Sequence, residues 1–118
     1  MPDRDLAAAL SRPVSEVKAE LFKALAHPAR IRALEVLTEG ERSVSELQPL
    51  VGIESSHLSQ QLGVLRRAGL VTTRRSGTTV SYAIASPEVV ELLGAARRVL
   101  IARLAQTQDL LADLRASE

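Results

Sequence analysis

A chain of 118 residues without cysteine cannot hold a disulfide, a thiolate metal site, an iron–sulfur cluster or a thiol redox switch. Hydrophobic residues make up 46% and aromatics only 2%, so the chain is too apolar for disorder and must build its core from Leu, Val, Ile and Ala. The net charge is +1, but Ser55 to Pro87 holds four arginines (66, 67, 74 and 75) and no acid, while the other eleven Lys and Arg face all fourteen acids.

A local basic surface on an otherwise acidic molecule suits a polyanionic partner. The length suggests one domain with a modest core, which pairing with a second copy would stabilise. No run approaches the ~18 apolar residues of a membrane span. The opening MPDRDLAAALSRP lacks a basic region followed by an apolar one, so it does not read as a secretory signal. The expectation is a cytoplasmic protein with no membrane partner.

In chain order, residues 1–14 read as a loosely ordered leader with a helical turn at Leu6 to Leu10, followed by a single domain over 15–118. Ser15 can cap a helix running to about Ala26, with Val17, Leu21, Phe22 and Leu25 on one face. His27 reads as a structural cap and Pro28 as the first residue of a second helix over 28–38. That helix turns Ile31, Leu34, Val36 and Leu37 inward, and Gly40 closes it. Ser43-Val44-Ser45-Glu46 has capping-box spacing and opens a short third helix with Leu47 and Leu50. Pro49 should leave that helix short or distorted, and Gly52 should end it. A fourth helix over 55–68 places Leu58, Leu62, Val64 and Leu65 inward, and Gly69 stops it.

Leu70 to Arg75 and Thr79 to Ala85 read as two strands of a hairpin turning at Ser76-Gly77-Thr78. Tyr82 is expected to pack within its strand. Ser86-Pro87-Glu88 then starts a long helix over 87–115. Leu93, Ala96, Leu100, Leu104, Thr107, Leu111 and Leu114 recur along it at three-four spacing, a stripe suited to a seam with a second subunit.

The fold class is therefore mainly α with a β-hairpin wing. A short helix, a glycine turn and a second helix make a helix-turn-helix, and the hairpin makes it winged. The second helix of such a unit presents its N-terminal residues to base edges in the major groove. Ser55, Ser56, His57, Ser59, Gln60 and Gln61 are the candidates there; Gln pairs with adenine through two hydrogen bonds. Neighbours on a helix diverge by ~100°, so Gln60 and Gln61 cannot both face the groove equally. Arg66 and Arg67, and Arg74, Arg75, Ser76 and Thr78 of the wing, suit phosphates or a minor groove. Duplex DNA is the expected partner.

The segments "FKALAHPARIRALEVL", "SVSELQPLVGIESSHLSQQLGVLRRAGLV" and "RRSGTTVSYAI" together resemble the ArsR/SmtB family of bacterial winged-helix repressors. The resemblance covers residues 22 to 84. It implies a homodimer built from the first and last helices, here Leu21, Phe22, Leu93, Ala96, Leu100, Leu104 and Leu111. It also implies binding to an imperfect inverted repeat in a promoter, with release by a signal. Arsenic and cadmium sensors of the family carry Cys-Val-Cys where this chain has Ser43-Val44-Ser45, and hydroxyls are poor ligands for soft metals. Zinc and nickel sensors place Asp and His on the last helix, whereas this chain has no histidine after His57. No metal is expected at either position, and no cofactor.

Asp109 and Asp113, four apart, read as a solvated face. No cysteine nucleophile, phosphate loop or Ser–His–Asp constellation points to an enzyme. A winged-helix module that binds protein and not DNA is the alternative, but it needs neither a polar outer helix nor an acid-free segment. The releasing signal, a small molecule, a protein or none, is left open by these residues.

Overall fold

The computed structural model describes the backbone of residues 3–117 and the side chains of residues 13–117. The first helix, α1 (Asp3–Leu25), starts well before Ser15, so Ser15 is not its cap. The helix runs through Pro13, which lacks the N–H that would bond the Ala9 carbonyl. Of the expected leader, Met1 and Pro2 lie outside the described residues. The apolar face of α1 is only partly used: Ala24 is buried, Leu21 and Leu25 are half-buried, and Val17 and Phe22 are 70% and 58% exposed.

Helix α2 (Pro28–Leu37) follows a two-residue break. His27 is extended and its Nδ1 accepts the Ala29 N–H at 3.1 Å, so it caps the helix while Pro28 occupies the first turn. Ala29, Ala33, Leu34, Val36 and Leu37 are buried. Ile31, expected inward, is exposed because it falls on the far side of the helix from those five.

The next element, β1 (Arg42–Ser43), has no counterpart among the expected elements; two residues are too few to show alternation. Ser43 ends the strand and caps α3 (Val44–Val51). The expected capping box forms: the Glu46 N–H donates to Ser43 Oγ at 3.3 Å, and the Ser43 N–H donates to Glu46 Oε1 at 2.9 Å. The Ser43 N–H foremost, and after it the Ser43 hydroxyl, hold the Glu46 carboxyl below the usual carboxylate range. Leu47 is buried, but Leu50 is exposed. The helix is short, as Pro49 suggests, and Arg32 Nε donates to the carbonyl of Leu50 near its end at 3.3 Å.

Gly52 turns the chain at φ +85°, a left-handed conformation that side chains disfavour, and its N–H bonds the Gln48 carbonyl at 2.8 Å. Helix α4 (Ser55–Arg67) then buries Leu58, Leu62 and Leu65 completely, against a core that includes Leu34 and Leu47. Each buried leucine contributes roughly 1.5–3 kcal/mol of transfer free energy.

Strands β2 (Val71–Ser76) and β3 (Thr79–Ile84) form the hairpin. The three-stranded antiparallel sheet has the order β1-β3-β2, with Arg42 opposite Tyr82 and Ser43 opposite Ser81. Ser76 pairs with Thr79, so the turn is the two residues Gly77-Thr78 and not three. Gly77 supplies a φ of +62° there.

The chain divides into two compact units, one ending at Ala85 and the other starting at Ser86. The second is the single helix α5 (Pro87–Ala116). Ser86 occupies its N-cap position, but its side chain makes no capping bond. Along α5 the leucines at 100, 104, 111 and 114 are exposed. Val99, Ile101 and Leu110, which the three-four spacing does not pick out, are exposed beside them and broaden the apolar surface. Among the described residues, no helix is long and apolar enough to cross a membrane.

Candidate nucleic-acid interface

Helix α4 has two faces fixed by its sequence. Leu58, Gln61, Leu62 and Leu65 are buried on one. At ~100° per residue, Ser56, Gln60, Gly63 and Arg67 form a ridge on the opposite side. Ser56, Gln60 and Arg67 are exposed on it. Ser59 and Arg66 flank the ridge on one side and His57 on the other; all three are exposed. A hydroxyl, an amide and a guanidinium thus stand in a row, with no carboxylate between them. Gly63 is not among the expected residues. Without a side chain it leaves a gap in the ridge, and a Cβ there would lie 3.3 Å from Arg67 Nη1.

Gln61 does not join this ridge. It is 8% exposed, and its Oε1 accepts from Arg30 Nε at 2.6 Å. The expectation that Gln61 reads DNA is thereby corrected: the 100° step from Gln60 turns it into the core, where Arg30 of α2 satisfies its amide oxygen. Ser55 is exposed, but its hydroxyl donates to Gln48 Oε1 at 2.9 Å, joining the start of α4 to α3. The His57 ring lies edge-on to His27, with centroids 6.1 Å apart and planes at 88°. The Nδ1 of His27 is committed to its cap.

The wing adds a second group of polar residues. Arg75, Ser76 and Thr78 are exposed around the hairpin tip. Arg74 is exposed too, but it is not free. Its Nε and Nη2 donate to Oε1 and Oε2 of Glu41, each at 2.9 Å. Those hydrogen bonds, then the carboxylate charge, push the guanidinium above its already high range. Glu41 lies 33 residues from Arg74 in the chain, outside the acid-free segment, and cancels one of its four charges.

Ser43 and Ser45 are engaged locally. Ser43 Oγ takes the cap bond, and the two hydroxyls are 3.1 Å apart. Among the described residues, no three His, Asp or Glu side chains are grouped to hold a metal ion.

A capped short helix, a glycine turn, a helix with a polar outer ridge and an arginine-bearing hairpin make up a winged helix-turn-helix, the fold of a DNA-binding transcriptional regulator. Residues 27–73 match the family described as "Bacterial regulatory protein, arsR family". The chain is 58% identical over 107 residues to the HTH-type transcriptional regulator Rv0081 of Mycobacterium tuberculosis, covering 90% of this chain and 94% of that protein. The crystal structure of Rv0081 superposes with a TM-score of 0.75 at 59% identity, covering 80% of this chain and 95% of the other. The biofilm growth-associated repressor of Agrobacterium fabrum is 45% identical over 87 residues, 74% of each chain. A homodimeric winged helix-turn-helix DNA-binding domain from Mycobacterium bovis superposes with a TM-score of 0.75 at 31% identity, over 81% of this chain and 89% of that one. This protein belongs to the ArsR family.

Proposed function

We propose that the protein binds an imperfect inverted repeat in a promoter as a homodimer and represses transcription in the cytoplasm, with no catalytic step. The observation that carries this reading is the ridge of Ser56, Gln60, Gly63 and Arg67 standing opposite the buried leucines of α4. Gln60 and Ser56 read base edges; Ser59, His57 and Ser55 line the same end of the helix. Arg66, Arg67, Arg75, Ser76 and Thr78 hold phosphates, and Arg74 joins them to the extent that Glu41 releases it.

The dimer forms through α1 and α5, using Leu21, Phe22, Leu93, Ala96, Leu100, Leu104 and Leu111. On each helix taken by itself, exposed apolar side chains support this: Phe22 on α1, and Leu100, Leu104 and Leu111 on α5. The homodimeric Mycobacterium bovis domain and the Agrobacterium repressor support the assembly and the sign of regulation. The signal that releases the protein is not a soft metal at Ser43 and Ser45: hydroxyls are poor ligands for one, and that of Ser43 serves the capping box with Ser45 Oγ 3.1 Å away.

The test is selection of bound fragments from a pool of random duplexes. The expected product is an inverted repeat whose half-site centres lie about one helical turn apart, ~10 base pairs, or a multiple of it. Gln60→Ala should weaken binding to it by about 1–3 kcal/mol and relax the preference at one position of each half-site. A pool that enriches no sequence, or binding indifferent to salt, refutes the assignment.

A further inference from the structure

Gln61 is the one buried polar residue of α4, set among the leucines that hold the helix to the core. Its partner, Arg30, is half-buried on α2 and makes bonds in two directions. Nε donates to Gln61 Oε1 at 2.6 Å. Nη1 donates to the Lys23 carbonyl at 3.2 Å and reaches the Ala24 carbonyl at 3.5 Å. These carbonyls belong to the last turn of α1, whose partial negative charge suits a guanidinium. One planar group therefore ties α1, α2 and α4 together.

Leucine packing is not directional and tolerates small rotations of a helix. A hydrogen bond from a rigid fork is directional. The only such bond holding the inner face of α4 to α2 among the described residues is the one at Gln61, next in sequence to Gln60 on the outer ridge. A change in the rotation of α4 at Gln61 would move Gln60 by the same angle.

We propose that Arg30 is a positioning residue for sequence reading. It fixes the rotation of α4 through Gln61 and anchors that setting to the end of α1, without touching DNA itself. The inference rests on α4 being the reading helix. It predicts that losing the strut costs selectivity more than affinity. Arg30 is a cation near a polyanion-binding surface, so a direct phosphate contact is the alternative to be separated.

The experiment compares Arg30→Met, Gln61→Leu and the double variant with the native protein. Each is titrated with the duplex selected from the random pool and with poly(dI-dC), over a range of salt. Each single change should lower the ratio of selected to competitor affinity by about fivefold or more, the low end of what one base contact contributes. The double variant should lose no more than the worse single, because both changes remove one strut. Competitor affinity and the slope of log K against log salt should stay as in the native protein.

A slope lower by about one per protomer, with competitor binding falling in step, would make Arg30 a phosphate contact and overturn the proposal. A single change leaves its partner unsatisfied and can prevent folding, whereas the double variant replaces both polar ends with apolar ones. In that case the double variant decides: cooperative melting with an undiminished ratio overturns the strut. Native protein that enriches no duplex removes the reading helix and this inference together, an outcome visible before any variant is compared.

Discussion

The Glu41–Arg74 pair makes a prediction opposite to that of simple charge counting. Two hydrogen bonds of 2.9 Å occupy both Nε and Nη2, the edge of the guanidinium that would otherwise grip a phosphate. Glu41→Gln removes the carboxylate charge and leaves a neutral amide of the same shape. Each arginine that gains a phosphate releases condensed counterions, steepening the slope of log K against log salt by up to ~0.9. The proposed dimer has two wings, so the slope should steepen by up to ~1.8. Across a fourfold span of salt, from about 50 to 200 mM, that compounds to roughly a tenfold change in relative affinity.

Fluorescence anisotropy of a labelled operator duplex, read at four or five salt concentrations, measures it. Glu41→Gln should bind more tightly than the native protein at low salt and lose the advantage as salt rises. Folding should be little affected, because the side chain of Arg74 is 72% exposed and surface ion pairs contribute little to stability. An unchanged slope would show that Arg74 does not meet phosphate. Weaker binding at every salt concentration would show that Glu41 holds Arg74 in its working position and does not compete for it. Either result refutes the competition argument.

Three further outcomes follow from the same geometry. Leu62→Ala, at a fully buried position, should cost about 2–5 kcal/mol in urea denaturation, whereas Ser56→Ala on the outer ridge should leave stability within about 0.5 kcal/mol. Leu104→Glu places a charge in the apolar surface of α5, where Leu104 is 64% exposed, so it should convert dimer to monomer in sedimentation while leaving the monomer folded. Glu46 has a carboxyl lowered by the Ser43 bonds, so its contribution is full above the unfolded value of about 4.3 and drains away as pH falls through the folded one. Between about pH 5 and pH 3 the native melting temperature should therefore fall further than that of Glu46→Gln.

What can be read from the sequence, and what cannot, divides by the range of the interaction. Leu58, Leu62 and Leu65 are legible because a buried face repeats with the helix. Ser43 and Glu46 are legible because a capping box closes over three residues. The start of α1 is not, because Ser15 looks like a cap, yet the helix begins at Asp3 and continues through Pro13. Ile31 is misplaced because a short apolar-rich helix leaves the inward direction to be settled by its neighbours. The polar residues are the hardest. Gln60 and Gln61 are chemically identical, and the repeat of Leu58, Leu62 and Leu65 turns Gln61 inward, but it does not show what satisfies a buried amide there. Arg30, 31 residues away, supplies that partner. Glu41 likewise decides how much of the wing's charge is free, from 33 residues away. Such bonds leave no periodic trace, because each involves one side chain at each end. Composition therefore locates the basic segment, but the acid that pairs with Arg74 and the arginine that satisfies Gln61 both lie outside that segment. A charge count over 55–87 alone overstates the wing by the one charge that Glu41 pairs.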